Sequence, residues 1–481
     1  MKYRRSAYII LFCIPILFVL ATAFLLVYNA DFELDGDDHE LLTSICVGVQ
    51  HPGLLYQNTS GRFNWSRSEY NFLLLTPFAS NPAAFYSVSA VHYLVFSLFT
   101  LLLLLSSLDK TDDIAGKIIL WGIWLTLQFG THWTFFHLTQ PERLQITLLS
   151  AFSYFLLKAS ITGRQRLYIV SFVIAVIATY CKEPMFGVFM ILGSLFFLFR
   201  RNDIKMRYFS IGLFINATLY LLLYILLVLP KITGVYHPSG EQRKGIVTIA
   251  MALRNSPLLA LCLLLSTIIL VKNILYLVNK QFFKSADFTP FLPFCVEDAL
   301  LLSGAAYAVG IIITGGNSNY YFFPTLVLSF PALTRYVKEF RKLSKTLYTV
   351  MLILGILIPT YYSHYYVSTV YHRIRFGHRD MDDMKCLASF VDKGCNFCWY
   401  DCDNFADISI DYRASYLPVF INYINGTDSF VLDRTNTLPQ ELSRQDYVIC
   451  WDEIPEYEAA AYPELPITMF HVYFGKGNDG N

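Results

Sequence analysis

Apolar runs of membrane-spanning length recur along most of the chain, and no other feature limits its fold as strongly. They fall near 6–28, 84–107, 117–138, 143–159, 167–181, 185–199, 208–229, 256–271, 292–314, 321–334 and 346–366. About 20 apolar residues carry an α-helix across a hydrocarbon core of about 30 Å. Backbone polar groups in lipid have no water to bond, so such a run must be a helix, which satisfies them internally. The expectation is a mainly α polytopic bundle of about eleven spans, with the runs at 167–181, 185–199 and 321–334 short for the task. Of the 481 residues 55% are hydrophobic and only 15% charged, where soluble domains are nearer about a quarter charged. The net charge of +1 gives no global field to gather nucleic acid.

Orientation follows from where the cations lie. Lys2, Arg4 and Arg5 precede the first run, and no small-residue cleavage site precedes Asp31, so this run reads as a retained anchor with a cytoplasmic N-terminus. Every second connection is then basic, as the positive-inside rule requires: Lys110 and Lys117; Arg164 and Arg166; Arg200, Arg201, Lys205 and Arg207; Lys272, Lys280 and Lys284; and Arg335, Lys338, Arg341, Lys342 and Lys345. Pro184 separates the runs at 167–181 and 185–199, because it lacks a donor and clashes with the preceding turn. Merging them would turn the later basic connections outward. An odd number of spans places the tail outside, opposite the N-terminus. The chain therefore divides into a transmembrane module, 1–366, with a large first outer loop at 30–83, and an extracytoplasmic domain, 367–481.

The tail reads as a small α+β domain. Strand-like stretches are Tyr412 to Ile421, Phe430 to Leu432 and Tyr447 to Trp451, with a turn signal at Asn425-Gly426. Cys386, Cys395, Cys398, Cys402 and Cys450 lie in it. In an oxidising compartment one or two disulfides are expected, of a pairing the sequence leaves open. A lone Cys395-x2-Cys398 knuckle lacks the second pair of a structural zinc site.

Chemistry concentrates at the outer ends of the spans. The first loop opens with DFELDGDDHE, residues 31–40, which holds six carboxylates. A solvated acidic cap would have the same composition. Acidic residues do little for orientation, however, and Gly36 with Asp37-Asp38 would turn carboxylates back toward the bilayer edge. There they can take a proton from an alcohol or hold a divalent cation. The stretch GRFNWSRSEYNFL, residues 61–73, interleaves Arg62, Arg67 and Glu69 with Trp65 and Tyr70. This suits an interfacial helix, and equally a sugar site. Residues 131–145 bring His132, His137, Glu142 and Arg143 to a second outer turn, and YCKEPMF, 180–186, brings Lys182 and Glu183 to a third. Charges at membrane depth mark function by default. Arg254, among apolar neighbours, is a further cation for a phosphate. GGNSNYYFFP, 315–324, reads as an aromatic belt. No phosphate-binding Gly-rich loop, H-E-x-x-H motif or G-x-S-x-G elbow is present.

This arrangement resembles the GT-C class of integral-membrane glycosyltransferases, whose hallmark is an acidic motif just after the first span, here Asp37, Asp38 and Glu40. Within that class it is most similar to the bacterial serotype-converting glucosyltransferases that decorate O-antigen. The stretch at 61–72, ending Glu69-Tyr70-Asn71, and the Lys182-Glu183-Pro184 turn are similar to those relatives. The resemblance implies a polyprenyl-phosphate hexose donor, glucose above all, a lipid-linked glycan acceptor, inversion at the anomeric carbon and a bacterial inner-membrane location with a periplasmic tail. The site it implies has three parts. Asp37 or Asp38, with Glu40, and with Asp35 also open, would be the base. Lys182, Arg143 and Arg254 would grip the phosphate. Arg62, Trp65, Glu69, Tyr70 and Glu183 would hold sugar and acceptor. A divalent cation is compatible but not demanded. Rival readings are a transporter or flippase for a lipid-linked glycan, an O-antigen polymerase and a membrane acyltransferase, the last with His92 or His364 as its histidine.

Overall fold

The structure, a computed structural model, describes residues 2–32, 38–47, 56–57, 62–63, 65–106, 121–126, 128–138, 140–200, 202–231, 246–278, 294–314, 318–343, 379–400, 408–435, 446–450 and 471–474, with isolated positions between. It is mainly helical. Helix α1 spans Lys2–Tyr28. The first loop holds α2, Asp38–Val47, a short antiparallel pair of β1, Tyr56–Gln57, and β2, Arg62–Phe63, and α3, Ser68–Leu73. Helix α4, Pro82–Ser106, is followed by a π-turn at Gly122–Thr126 and α5, Phe129–Phe136. Next come α6, Glu142–Thr162, α7, Gln165–Thr179, α8, Met185–Phe199, and α9, Ile204–Leu223. Helix α10, Ile246–Asn255, leads to α11, Pro257–Val278, α12, Val296–Ile313, and α13, Phe323–Leu343.

Five helical segments among the described residues are long and apolar enough to cross a membrane: α4, α6, Ile204–Lys231, Pro257–Leu275 and α12. Three shorter apolar helices accompany them. Their outward faces carry large apolar side chains, with Leu226 68% and Phe24 64% exposed. In water such a surface would be an aggregation hazard, so these faces suit a bilayer. Inside, small residues let backbones approach. A Cβ on Gly193 of α8 would sit 3.0 Å from the Ser210 carbonyl oxygen of α9, and one on Gly304 of α12 would sit 3.1 Å from Leu328 of α13. Ser210 donates to the Gly193 carbonyl across the first of these contacts.

Three sequence expectations change. The run at 117–138 is not one regular helix over its described part. It breaks between the π-turn and α5, where Gln128 is extended (φ −87, ψ 150). The freed carbonyls of Trp124 and Leu125 accept side-chain hydrogen bonds from Gln128 and Thr131, so the break is satisfied internally within the core. Lys272 lies within α11, and Arg335, Lys338, Arg341 and Lys342 ride on the last turns of α13, rather than on loops. Tyr412 to Ile421 belongs to a helix, Ile408–Asn425, and is not a strand. Most of the run at 346–366 lies outside the described residues.

The tail contains α14, Arg379–Asp392, and α15, Ile408–Asn425. They accompany a four-stranded sheet of β3, Asn396–Tyr400, β4, Asp433–Thr435, β5, Asp446–Cys450, and β6, His471–Phe474, in the order β4-β3-β5-β6. β3 is parallel to both β4 and β5, while β6 is antiparallel to β5. The β3–α15–β4 passage is the crossover that parallel neighbours need. Ala414, Leu417, Phe420 and Ile421 of α15 are buried at helical spacing, and Gly426 ends the helix at φ +64. Cys386, Cys395, Cys398 and Cys450 are free thiols, so no disulfide joins the described cysteines of this domain. Cys402 lies outside the described residues. Helix α15 packs against α2, which joins the tail to the first loop.

Candidate functional site

Helix α6 begins at the sequence Gln140-Pro141-Glu142-Arg143. Pro141 suits a helix start, since its missing donor would be unused there. Glu142 in the first turn complements the positive end of the helix dipole, whereas Arg143 opposes it. Both side chains are fully buried, and buried charges must be paired. Arg143 donates to the Leu138 carbonyl at 2.8 Å and to Glu69 Oε2 at 3.3 Å. Its guanidinium also lies over the Tyr70 ring, 3.9 Å from the centroid. Glu142 Oε1 pairs with Lys182 Nζ from the turn between α7 and α8, and that ammonium sits 4.7 Å from the centre of the Tyr321 ring.

Glu69 stands at the centre. Its Oε1 is 2.7 Å from His92 Nε2 on α4, while its Oε2 faces Arg143. Burial pushes its carboxyl pKa up. The hydrogen bond and charge of His92, then the charge and hydrogen bond of Arg143, pull it further the other way, so it titrates below the usual carboxylate range. Beside this dyad lies an open groove of about 580 Å³, lined by Ser68, Glu69, Phe72, Ser87, Val91 and His92. Phe72 and Val91 are 61% and 58% exposed, so its rim is apolar and its floor charged. Aromatic rings tie the first loop down on the other side. Trp65 stacks on Tyr180 at 5.1 Å, and Phe63 meets Tyr180 at 5.1 Å and Tyr220 at 5.7 Å.

Of the residues expected from the sequence, Glu69, Tyr70, Arg143 and Lys182 thus enter one connected cluster, drawn from three distant stretches. Trp65 flanks it, and Glu183 lies near Tyr307 of α12, close enough for its charge to be felt there. Arg254 is exposed in the last turn of α10, and none of the contacts above runs through it. Arg62 is in β2, with its side chain outside the described residues. Asp35 and Asp37 also lie outside them. Asp38 and Glu40 form the first turn of α2, their side chains not described. Among the described residues no three His, Cys, Asp or Glu side chains converge as a metal site would require.

The sequence reading did not assign roles to Glu142, Gln145, Tyr307 and Tyr321, and placed His92 only in a rival scheme. The signal for His92 was its position inside an apolar span. The others were marked only by spacing: Gln145 lies one turn after Glu142, on the same face. No protein-family model matches the chain, and no match to a curated protein was found.

Proposed function

We propose that this protein is a membrane glycosyltransferase that moves a hexose from a polyprenyl-phosphate donor to a hydroxyl of a lipid-linked glycan at the outer face of the membrane. One observation carries the reading: two ion pairs, Lys182–Glu142 and Arg143–Glu69, stand side by side through the neighbours Glu142 and Arg143 where the first loop meets the helix ends. Lys182, the more accessible cation, neutralises the departing phosphate. Arg143, already engaged by Glu69 and the Leu138 carbonyl, holds the loop and adds a positive field. Cations fixed where negative charge develops are usually the largest catalytic term, and a low local dielectric strengthens them. The acceptor oxygen attacks the anomeric carbon, the bond from that carbon to the phosphate oxygen breaks, and its electron pair leaves with the phosphate. Asp37 or Asp38, with Glu40 beside them, takes the acceptor proton. Packing of α15 on α2, which carries Asp38 and Glu40, supports a tail domain that presents the acceptor there.

Eleven crossings with a cytoplasmic N-terminus fit the same contacts. The packing of α15 on α2 supports a tail and first loop on one side; an even number of crossings would then separate them, and ten runs lie between. The broken run at 117–138 counts as one. Trp121 Nε1 donates to Thr100 Oγ1, and Ser89 Oγ donates to the Phe135 carbonyl. The segment thus returns along α4 over about 16 Å, at 1.5 Å per residue. A bacterial inner membrane with a periplasmic tail is the location this reading implies.

The test is transfer of labelled hexose from a polyprenyl-phosphate donor to a lipid-linked glycan in membranes, with Asp37→Asn, Asp38→Asn and Lys182→Ala variants. Loss of transfer in Lys182→Ala and one Asp variant, with normal insertion, is expected. A flippase for a lipid-linked glycan is the second reading, and the broken segment within the core favours it, since transporters build sites from interrupted helices. Wild-type protein that moves lipid-linked glycan across vesicles yet transfers no label would decide for the flippase.

A further inference from the structure

Six polar side chains gather at the outer end of α6 and α12. Glu142 pairs with Lys182, Lys182 lies over Tyr321, and Tyr321 and Glu183 are both near Tyr307. Tyr307 faces Gln145, which returns to Glu142 along α6. Glu142 and Gln145 are fully buried and Tyr307 is 3% exposed. Yet, apart from the contact that Gln145 and Tyr307 make with each other, Glu142 Oε2, the amide of Gln145 and the Tyr307 hydroxyl make no hydrogen bond to any described group. Buried polar atoms are rarely left so, since each costs about 1–3 kcal/mol when unsatisfied.

We propose that Glu142, Gln145 and Tyr307 are the pocket for the hydroxyl groups of the donor's sugar ring, an inference that rests on the transferase reading above. The four atoms supply acceptors (the carboxylate and the amide oxygen), a donor (the amide nitrogen) and a phenol that does both. A hydroxyl that donates and accepts at once matches this set. An anion does not, because Glu142 and Glu183 would repel it. A free cation does not either, because Lys182 already occupies the carboxylate's charge. The ligand is therefore a neutral polyol held next to an ammonium, as a hexose joined to a phosphate is. The ring faces of Tyr321 and its neighbour Tyr320, 4.2 Å apart, offer apolar surface for the sugar's C–H groups.

The test is binding of polyprenyl-phosphate hexose and of polyprenyl phosphate alone to the full-length protein in nanodiscs. Wild type is expected to prefer the sugar-bearing lipid at least tenfold. Gln145→Leu and Tyr307→Phe are each expected to cut that preference at least fivefold while leaving affinity for polyprenyl phosphate unchanged. Tyr307→Phe deletes a single oxygen and keeps the buried ring, so folding is preserved. Donors lacking single ring hydroxyls, tested on wild type, should lose a similar factor. Preference kept in both variants and with every deoxy donor would overturn the inference and leave the transferase reading intact, as would wild type with no preference for any hexose. Failure of wild type to bind either lipid would sink the transferase reading and this inference with it.

Discussion

Glu69→Gln isolates the cost of the central ion pair. The substitution keeps shape and an acceptor oxygen, but removes the carboxylate that pairs with Arg143. Arg143 is fully buried, and Glu69's side chain is 27% exposed. Removing one partner of a buried pair costs about 3–5 kcal/mol, mostly through the stranded charge. Partial exposure screens the pair, and the Leu138 carbonyl and Tyr70 face remain, so about 2–3 kcal/mol is expected. Arg143→Met should cost a similar amount. The double variant should cost less than the sum by about 1–2 kcal/mol, since the two side chains touch. Reversible unfolding in mixed micelles, titrated with SDS, reads each value. The sign in pH is set by the lowered Glu69 pKa. A carboxyl depressed by folding adds stability that is present above its ordinary value of 4.5. That stability is lost as pH falls through the lower folded value. Wild type should thus lose part of its stability below about pH 4.5 that Glu69→Gln never had. A single variant within 0.5 kcal/mol of wild type, or strictly additive effects, would refute the reasoning.

Three further perturbations test other parts. At the opposite end of the bundle, Asp298 is fully buried between the Tyr336 hydroxyl at 2.8 Å and Lys272 at 3.6 Å. Asp298→Ala should therefore destabilise by about 3–5 kcal/mol in the same unfolding assay, while Asp298→Asn keeps part of the loss back. Gly304→Val places methyl groups where a Cβ already comes 3.2 Å from the Thr325 carbonyl, and about 1–3 kcal/mol of overpacking is expected, read as a lower unfolding midpoint. Burial on α2 raises the Cys46 thiol from 9.0 to about 11. At pH 8 its thiolate fraction, and hence its alkylation rate, should be about 100-fold below that of an ordinary thiol, measured by timed iodoacetamide labelling and mass spectrometry.

How far the sequence could be read depended on which physical signal each residue carried. Apolar runs announce helices because lipid leaves the backbone no other choice, and α4, α6 and α12 fall where hydropathy places them. The break at Gln128 does not announce itself. Its partners are carbonyls of the same segment, and nothing in an apolar window separates a helix from a helix whose turns are mended by side chains. Tyr412 to Ile421 misled through β-branched and aromatic residues, although Ala414, Leu417, Phe420 and Ile421 already had the spacing of a helix face. At the site, charges in apolar surroundings pointed to Arg143 and Lys182 because a lone cation there demands a partner. The partner's identity was not local. Glu69 lies 74 residues before Arg143, and Glu142 lies 40 before Lys182. Neutral groups were harder still. Gln145 and Tyr307 are unremarkable in a helix until the fold removes both from water with little beyond each other for a partner. Their importance is a property of what surrounds them, so the residues proposed to discriminate one sugar from another are those that composition and charge leave silent.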